Sequence, residues 1–246
     1  MRILLVADIH ANWHALDAIR EPFDVCLCMG DLVEYGPDPA PVVDWVRANA
    51  LACVRGNHDH GTAQNVRTVA QSGFKYLTMA TRPGTIAKLS PAEIRTLNTL
   101  PTTAMLTLDG KKFLLVHATP RDPLDEYTSA DPDVWTSRLA GIDADFVLVG
   151  HTHVQFSLPV GRTTVVNPGA VGLQRDGDPS VRYAIIEDGN VELKSCDYDV
   201  EKTVAAVQDD STIDERAKLM LIDVYRYGRL VQSLTNGANP PANGIY

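Results

Sequence analysis

Five of the seven histidines in this 246-residue sequence lie in short motifs that also contain aspartate, asparagine or glycine, or that follow an apolar run. The motifs are Asp8-Ile9-His10, Gly30-Asp31, Gly56-Asn57-His58-Asp59, His117 after Leu114-Leu115-Val116, and Gly150-His151-Thr152-His153. Imidazole nitrogen and carboxylate oxygen together suit divalent ions such as Mn, Fe, Ni, Co or Zn, and a set without thiolates is unlike a structural zinc cluster. The residue types therefore predict a catalytic metal site.

The spacing within two of the motifs suggests how their side chains converge. Asp8 and His10 are two positions apart, and so are His151 and His153. In extended backbone, residues two apart leave the same face of the chain. We therefore expect each pair to aim at one place. A lone histidine is more often a hydrogen-bonded core or loop residue, but five in such motifs argue against that interpretation for the group.

Apolar runs precede the motifs and predict the elements that position them. Runs at residues 3–7, 25–29 and 51–54 read as strands, and helical patterns at 13–20 and 41–49 separate them. This alternation predicts a βαβαβ unit with a mostly parallel sheet. Ligands of such sheets usually bind at the carboxyl ends of the strands, which is where the motifs stand.

The second half of the chain is richer in strand patterns and predicts a second sheet. Asp109-Gly110 and Asp188-Gly189 each separate two strand-like runs, as in a tight hairpin. Ser90 followed by Pro91 predicts a helix start. The other predicted strands are 146–149, 154–158 and 163–166, and the other predicted helices are 61–80, 91–100, 131–140, 200–207 and 214–234.

Composition and charge restrict the class of protein. The net charge of −9 argues against the broad basic surface that grips duplex nucleic acid. The apolar run at residues 1–7 is too short for a signal segment or a membrane span. Four cysteines without paired CxxC spacing read as reduced thiols: Cys26, Cys28, Cys53 and Cys196. Together these features predict a cytoplasmic protein that does not associate with membranes.

The order D-x-H, G-D, G-N-H-D, H and G-H-x-H resembles the calcineurin-like metallophosphoesterase superfamily. The stretch Asn167-Pro168-Gly169-Ala170-Val171-Gly172 resembles its small single-domain bacterial and archaeal branch. The resemblance implies an α/β fold, a four-layer αββα sandwich of two mixed β-sheets with flanking helices. We expect one domain over residues 1–235 and a flexible tail over 236–246. The helical segment 197–235 is a candidate for capping a sheet edge or forming a homo-oligomer.

The resemblance also assigns roles to the motif residues. It implies two divalent cations, with Mn the ion expected to support activity, and Asp31 bridging them. His58 would be the general acid that protonates the leaving group, and Asp59 would orient His58 or raise its pKa, unless Asp59 is a surface turn carboxylate. One metal would bind Asp8, His10, Asp31 and His153, and the other Asp31, Asn57, His117 and His151.

These roles imply a metal-dependent phosphodiesterase that hydrolyses a small or nucleotide phosphoester by two-metal activation of a bridging water. The alternatives are a phosphomonoesterase or nucleotide polyphosphate hydrolase, and a non-catalytic scaffold with the same fold. Tyr35 stands where related protein phosphatases carry a phosphate-binding arginine. Arg55, Arg121 and Arg175 are candidate replacements. Tyr35 itself could stack on a base, and Arg175, Tyr35 and Arg121 are the expected substrate-binding residues.

Overall fold

The computed structural model describes residues 1–231, which form ten strands and eight helices. The strands are β1 (Arg2–Val6), β2 (Val25–Cys28), β3 (Ala50–Cys53), β4 (Thr103–Leu108), β5 (Lys111–Val116), β6 (Phe146–Leu148), β7 (Phe156–Val160), β8 (Thr163–Asn167), β9 (Val181–Glu187) and β10 (Asn190–Cys196). The helices are α1 (Trp13–Asp17), α2 (Pro39–Asn49), α3 (Asn57–Ala63), α4 (Gly73–Lys88), α5 (Pro91–Thr99), α6 (Pro132–Arg138), α7 (Val200–Asp209) and α8 (Glu215–Tyr227).

The strands form two mixed five-stranded sheets, in the orders β10-β9-β1-β2-β3 and β4-β5-β6-β8-β7. In the first sheet β1, β2 and β3 are parallel, and β9 runs antiparallel to β1. In the second, β5, β6 and β8 are parallel, and the edge strands β4 and β7 are antiparallel to their neighbours. The predicted pair of mixed sheets is confirmed.

Strand β1 shows why its sequence is a continuous apolar run. Ile3 and Leu5 pack between the two sheets, where Leu115 and Leu148 of the second sheet meet them. Leu4 and Val6 of β1 point the other way, into a cluster with helices α1, α2 and α5. A strand buried on both faces needs apolar residues at every position. On the outer face of the second sheet α6 contributes the buried Trp135, which completes the four layers.

The predicted hairpins and the predicted start of helix α5 are confirmed. Asp109 and Gly110 both have positive φ, of 46° and 73°, as a type I′ turn requires, and Asp188 and Gly189 repeat this with 50° and 79°. Ser90 accepts a hydrogen bond from the Glu93 amide at the start of α5. The two hairpin turns and the helix cap were therefore predictable from the local sequence alone.

Three predicted helices were wrong in extent. The helix expected over 13–20 ends at Asp17. The helix expected over 61–80 is two helices, α3 and α4, separated by an irregular segment at 64–72. The helix expected over 214–234 ends at Tyr227, because Gly228 adopts the left-handed conformation with φ of 61°. The predicted tail at 236–246 lies outside the described residues, and the single domain over 1–235 stays a prediction.

Helices α7 and α8 pack against each other and against α1 and α4. Their apolar residues, including Val204, Leu221 and Tyr225, form one cluster with Tyr35 and Leu77. The expected roles of this segment in capping a sheet edge or forming a homo-oligomer stay predictions. None of the helices within residues 1–231 is long and apolar enough to cross a membrane.

Candidate metal centre and its cavity

The motif residues follow strands whose carboxyl ends meet at one edge of the sandwich. Asp8 follows β1, Asp31 follows β2 and Asn57 follows β3 in the first sheet. His117 follows β5 and His151 follows β6 in the second sheet. Parallel strands place their carboxyl ends on the same side of a sheet, so each sheet contributes polar groups to a shared site.

Six of the seven expected ligands form two buried clusters in which the potential donor atoms lie within 4.8 Å of one another. Asp31 lies between the clusters, since its Oδ2 is 3.2 Å from His117 Nε2 and 3.8 Å from His10 Nε2. The seventh residue, Asn57, places its Oδ1 3.1 Å from His117 Nε2. The clusters are Asp8, His10 and His153, and Asp31, His117 and His151.

The expectation that residues two apart share a target was wrong for one pair. His151 lies in the cluster of Asp31, whereas His153 lies in the cluster of Asp8 and His10. The physical reason is backbone conformation, because both histidines have left-handed φ angles of 66° and 61° rather than extended ones. Asp8 and His10 do share a cluster, but they also have left-handed φ angles, of 52° and 48°.

The hydrogen bonds of the histidines fit divalent metal ions. The Nδ1 atoms of His10, His117 and His153 lie 3.1, 2.7 and 2.5 Å from the backbone oxygens of Val33, Met29 and Leu173. Since a carbonyl only accepts, each Nδ1 carries a proton, and the Nε2 atom of each ring is turned toward its cluster. His151 is reversed, because its Nε2 contacts the Asp125 oxygen at 3.3 Å and leaves Nδ1 facing the cluster.

The electrostatics of the two clusters point to bound cations as well. Burial raises the pKa of Asp8 to about 7 and lowers the pKa of His151 to about 3. Burial also lowers the pKa of His10 and His153, whose unprotonated Nε2 atoms face each other at 3.2 Å. Two lone pairs at that distance repel unless a cation lies beside both. The donor set therefore fits metal binding better than a set of protein hydrogen bonds.

Backbone contacts hold the Asp31 carboxylate in place. Its Oδ1 accepts the His58 amide at 2.9 Å. A Cβ on Gly56 would lie 2.0 Å from the same oxygen, so only glycine permits this approach. The carboxylate also raises the pKa of His117 to about 10, even though burial alone would lower it. The negative charge of Asp31 therefore has the main favourable electrostatic effect on His117 in the second cluster.

The Asn167-to-Gly172 stretch fixes the loops that carry ligands of both sheets. Asn167 Nδ2 donates to the Gly150 oxygen at 2.7 Å, directly before His151. The Gly172 amide donates to the Asp8 oxygen at 3.0 Å. This stretch contains none of the expected ligands, but its hydrogen bonds hold two of the loops that carry them.

His58 is oriented by Glu34, a residue that sequence reasoning missed. His58 Nδ1 lies 2.7 Å from a Glu34 carboxylate oxygen, and Glu34 is fully buried. The same carboxylate accepts Thr62 Oγ1 at 2.8 Å and Arg82 Nε at 2.5 Å. Burial lowers the pKa of His58, but Asp31 and Glu34 outweigh it and raise the pKa overall. The available clue was an acidic residue three positions after Asp31.

Asp59 does not take the role expected of it. Its two carboxylate oxygens accept backbone amides from Asp31, Leu32 and Gly56 at 2.8 to 2.9 Å. Burial raises the pKa of this carboxyl to about 7. Asp59 is therefore neither the partner of the His58 ring nor a surface turn residue, and its contacts hold together the loops that follow β2 and β3.

A cavity of about 640 Å³ opens beside the clusters and separates the substrate-binding candidates. Arg175 and Tyr35 line it, together with Asn57 and His58. Tyr35 is only 1% exposed, and its hydroxyl contacts Thr78 Oγ1 at 3.0 Å and His58 Nε2 at 3.4 Å. It is packed into the wall, so it does not present a free face to a base.

Two of the arginine candidates lie elsewhere. Arg121 is exposed and does not line the cavity. Arg55 donates to the Asn98 backbone oxygen at the end of α5 and is also absent from the cavity wall. Of the three candidate replacements for the missing arginine, the structure brings only Arg175 to the site.

The order of motifs, the two sheets and the paired clusters agree with a comparison against known protein families. Residues 1–190 match the calcineurin-like phosphoesterase superfamily domain. The chain belongs to this superfamily. This metallophosphoesterase is accordingly a phosphoric ester hydrolase of a metal-dependent family, and its two acid-and-histidine clusters are its potential metal sites.

Individual relatives agree with this membership. A metallophosphoesterase from Sphaerobacter thermophilus is 29% identical, with a TM-score of 0.76 over 93% of this chain and 99% of the other. An uncharacterized protein from Methanocaldococcus jannaschii is also 29% identical, over 81% of this chain and 89% of the relative. A hypothetical protein from Pyrococcus horikoshii shares the fold, with 16% identity and a TM-score of 0.78 over 94% and 99% of the two chains.

Proposed function

We propose that this metallophosphoesterase is a phosphodiesterase that hydrolyses a small or nucleotide phosphoester. The observation that carries the proposal is the position of His58, whose ring lines the cavity while Asp31, between the two clusters, accepts its backbone amide. A phosphoester bound at the clusters would then have its leaving group in the cavity, next to a proton donor.

The roles of the chain's own residues follow from this placement. The expected ligands would hold two divalent cations, which neutralise the phosphoryl charge and acidify a water nucleophile when bound. His58 donates its ring proton to the leaving oxygen. Glu34 holds the other ring nitrogen, which keeps the ring oriented and favours its protonated form before the transfer.

The surroundings of Tyr127 favour a diester over a monoester. The Tyr127 ring lies 4.1 Å from the His151 ring, measured between centroids. On one side it lines the 640 Å³ cavity, and it also lines a second, mostly apolar recess of about 270 Å³ with Thr152 and Val154. A phosphodiester has two substituents, and the two recesses that share Tyr127, next to His151, offer a place for each. A monoester would leave the second recess empty.

The four cysteines are free thiols in the structure, which fits the reducing cytoplasm we expect for this enzyme. Carboxylate, amide and imidazole ligands without thiolate fit Mn²⁺ well, and we propose Mn²⁺ as the activating ion. The volume of the larger cavity, about 640 Å³, agrees with a substrate of nucleotide size or smaller, because small-molecule sites measure roughly 300 to 1,000 Å³.

The test compares bis-p-nitrophenyl phosphate with p-nitrophenyl phosphate after the protein has been stripped of metal and reloaded with Mn²⁺, Ni²⁺, Co²⁺, Zn²⁺ or Mg²⁺. We expect hydrolysis only with added metal, the higher kcat/KM for the diester, and Mn²⁺ among the best ions. Faster cleavage of the monoester would instead support a phosphomonoesterase. Preference for a nucleoside di- or triphosphate over both would support the polyphosphate hydrolase.

A further inference from the structure

Arg175 reaches the cavity from the segment that also supports a metal-cluster histidine. The Leu173 backbone oxygen accepts the ring N–H of His153, and Arg175 follows two residues later. The guanidinium lies 4.5 Å from the centre of the Phe74 ring, and its Nη1 donates to the Tyr127 hydroxyl at 3.3 Å. Tyr127 in turn packs on His151. One side chain, Tyr127, therefore separates Arg175 from His151, and Arg175 lies two positions beyond the carbonyl that orients His153.

Arg175 forms no direct salt bridge with a carboxylate within residues 1–231, and Asp8 acts on its charge only from a distance. The neighbouring acids Asp176 and Asp178 pair with Arg182 instead. The Arg175 Nε–H is buried and has no hydrogen-bond partner among the described residues. By contrast Arg82, the other arginine in the wall, is paired with Glu34. A half-buried guanidinium that forms no salt bridge, and whose Nε–H is buried without a partner, would be stabilised by a bound anion.

The planar side chain is also held for recognition. Phe74 supports one face of the guanidinium, and Tyr127 holds one edge. Bidentate contact with phosphate requires a guanidinium fixed in a plane with free N–H groups, which is the state of Arg175 here. The only acidic residue that lines the cavity, within the described residues, is Asp125, so the cavity also lacks a competing cluster of carboxylates.

The C-terminal helices hold the segment that carries Arg175. Gly228 directly follows helix α8, and its backbone oxygen accepts the Gly177 amide at 3.0 Å. A Cβ on Gly228 would lie 2.6 Å from the Asp178 amide nitrogen, so the two backbones are in close contact. Through this contact, the C-terminal helices hold the loop at Gly177, two residues beyond Arg175.

We infer that Arg175 is the phosphate-binding arginine of this enzyme, which contacts a non-bridging oxygen of the substrate's phosphoryl group and is positioned by helix α8. It takes over the task of the arginine whose place Tyr35 occupies. The inference rests on the proposed function for the identity of the substrate. The free anion site itself rests only on the contacts of Arg175.

The experiment measures binding of inorganic phosphate to the Mn²⁺-loaded protein by isothermal titration calorimetry. Wild type is compared with Arg175→Gln, Arg175→Lys and Tyr127→Phe. Arg162→Gln serves as a matched control, because Arg162 lies in the turn between β7 and β8, is exposed and pairs with Asp143. Metal content is measured for each variant. We expect Arg175→Gln to raise the Kd of phosphate roughly 10- to 100-fold, as loss of a charged hydrogen bond would.

The other variants are expected to grade this effect. Arg175→Lys keeps the charge but cannot donate two parallel hydrogen bonds to phosphate, so its Kd should fall between those of wild type and Arg175→Gln. Tyr127→Phe removes only the contact with Nη1, and its increase in Kd should be smaller still. Arg162→Gln should match wild type. Kinetically, Arg175→Gln should raise KM for the diester more than it lowers kcat.

The outcomes separate this inference from the proposed function. If Arg175→Gln retains its metal and binds phosphate within twofold of wild type, the inference is wrong, even if the enzyme hydrolyses diesters. If no ester is hydrolysed but phosphate affinity drops in Arg175→Gln and not in Arg162→Gln, the anion site stands and the proposed function falls. Should Arg175→Gln not fold, the graded effects of Arg175→Lys and Tyr127→Phe decide the question in the same way.

Discussion

In the metal centre, each of the four clustered histidines contacts a backbone carbonyl through its second ring nitrogen, whereas in the cavity wall Arg175 is held by two side chains. The centre is supported by strand ends from both sheets. The cavity wall comes from α3, α4, the segment 64–72 and the loops that carry Tyr127 and Arg175. One region is fixed by the main chain, and the other by contacts between side chains of distant segments.

This difference indicates which changes each region can accept. A backbone-anchored ligand set is expected to tolerate little alteration, because the carbonyls that orient the rings do not adjust to a new side chain. A wall of side chains can change its substrate while the same two clusters are kept. We therefore expect changes in the centre to abolish turnover and changes in the wall to alter affinity.

The largest effect is expected for Asp31→Asn. Asp31 is the carboxylate between the clusters, so the variant should lose metal from both and show no measurable hydrolysis. Metal analysis after gel filtration checks the first part, with the exposed turn residue Asp188→Asn as the control. Two metals bound at wild-type affinity would contradict a bridging role.

His58→Ala should lower kcat while the metals remain bound. Loss of a general acid typically reduces the rate about 100- to 10,000-fold. The readouts are kcat for the diester and metal content, and His14→Gln serves as the control because it lies outside the motifs. Full turnover by a two-metal His58→Ala protein would show that the leaving group is protonated by another donor.

Glu34→Gln tests whether orientation of His58 matters separately from the ring itself. The amide preserves the shape but removes the charge that favours protonated His58 and balances Arg82. We expect kcat to fall roughly 10- to 100-fold, the range found when a supporting partner is removed. A shift in the pH profile of kcat, with unchanged metal content, would distinguish this effect from general loss of structure. An unchanged profile would assign Glu34 a structural role only.

Gly228→Ala tests the wall rather than the centre, and Gly161→Ala is its matched control. Both glycines have φ near 60°, where alanine costs about 1 to 2 kcal/mol. A Cβ at Gly161 meets nothing within 4 Å, whereas at Gly228 it meets the Asp178 backbone. Both variants should be less stable by thermal unfolding, but only Gly228→Ala should raise KM for the diester. Equal KM values would mean that α8 does not position Arg175.

The smallest effect is expected in the loop that carries Tyr127, where Glu126 accepts hydrogen bonds from Arg138 and Thr119. The Arg138 contact lowers the pKa of Glu126 below its unfolded value. Its stabilisation, about 1 kcal/mol, is therefore present above roughly pH 4.3 and is lost as the pH falls through the folded pKa. Urea unfolding should show Glu126→Gln less stable than wild type at pH 6 and nearly equal at pH 3. Glu192→Gln, at an exposed position, is the control for the loss of a surface carboxylate.

Part of this architecture was readable from local patterns, because those patterns act over a few residues. Buried runs such as residues 3–7 predicted strands, Asp109-Gly110 predicted a hairpin, and the motifs predicted polar groups at strand ends. The extents of three helices were misjudged. The helix predicted over 13–20 ends at Asp17, the one predicted over 61–80 is two helices separated by an irregular segment, and the one predicted over 214–234 ends at Tyr227, before the left-handed Gly228.

The sequence by itself determined which donor atoms follow each strand, since the apolar runs and the ligand motifs after them are both local patterns. Only the tertiary structure decided which donors meet: left-handed backbone sends His151 and His153 to different clusters, and Glu34 reaches His58 across 24 residues. It also decided that Arg175 enters the cavity while Arg121 stays outside. The physical reason is that side-chain pairing across a fold depends on loop conformation and packing between distant segments, which local patterns do not specify.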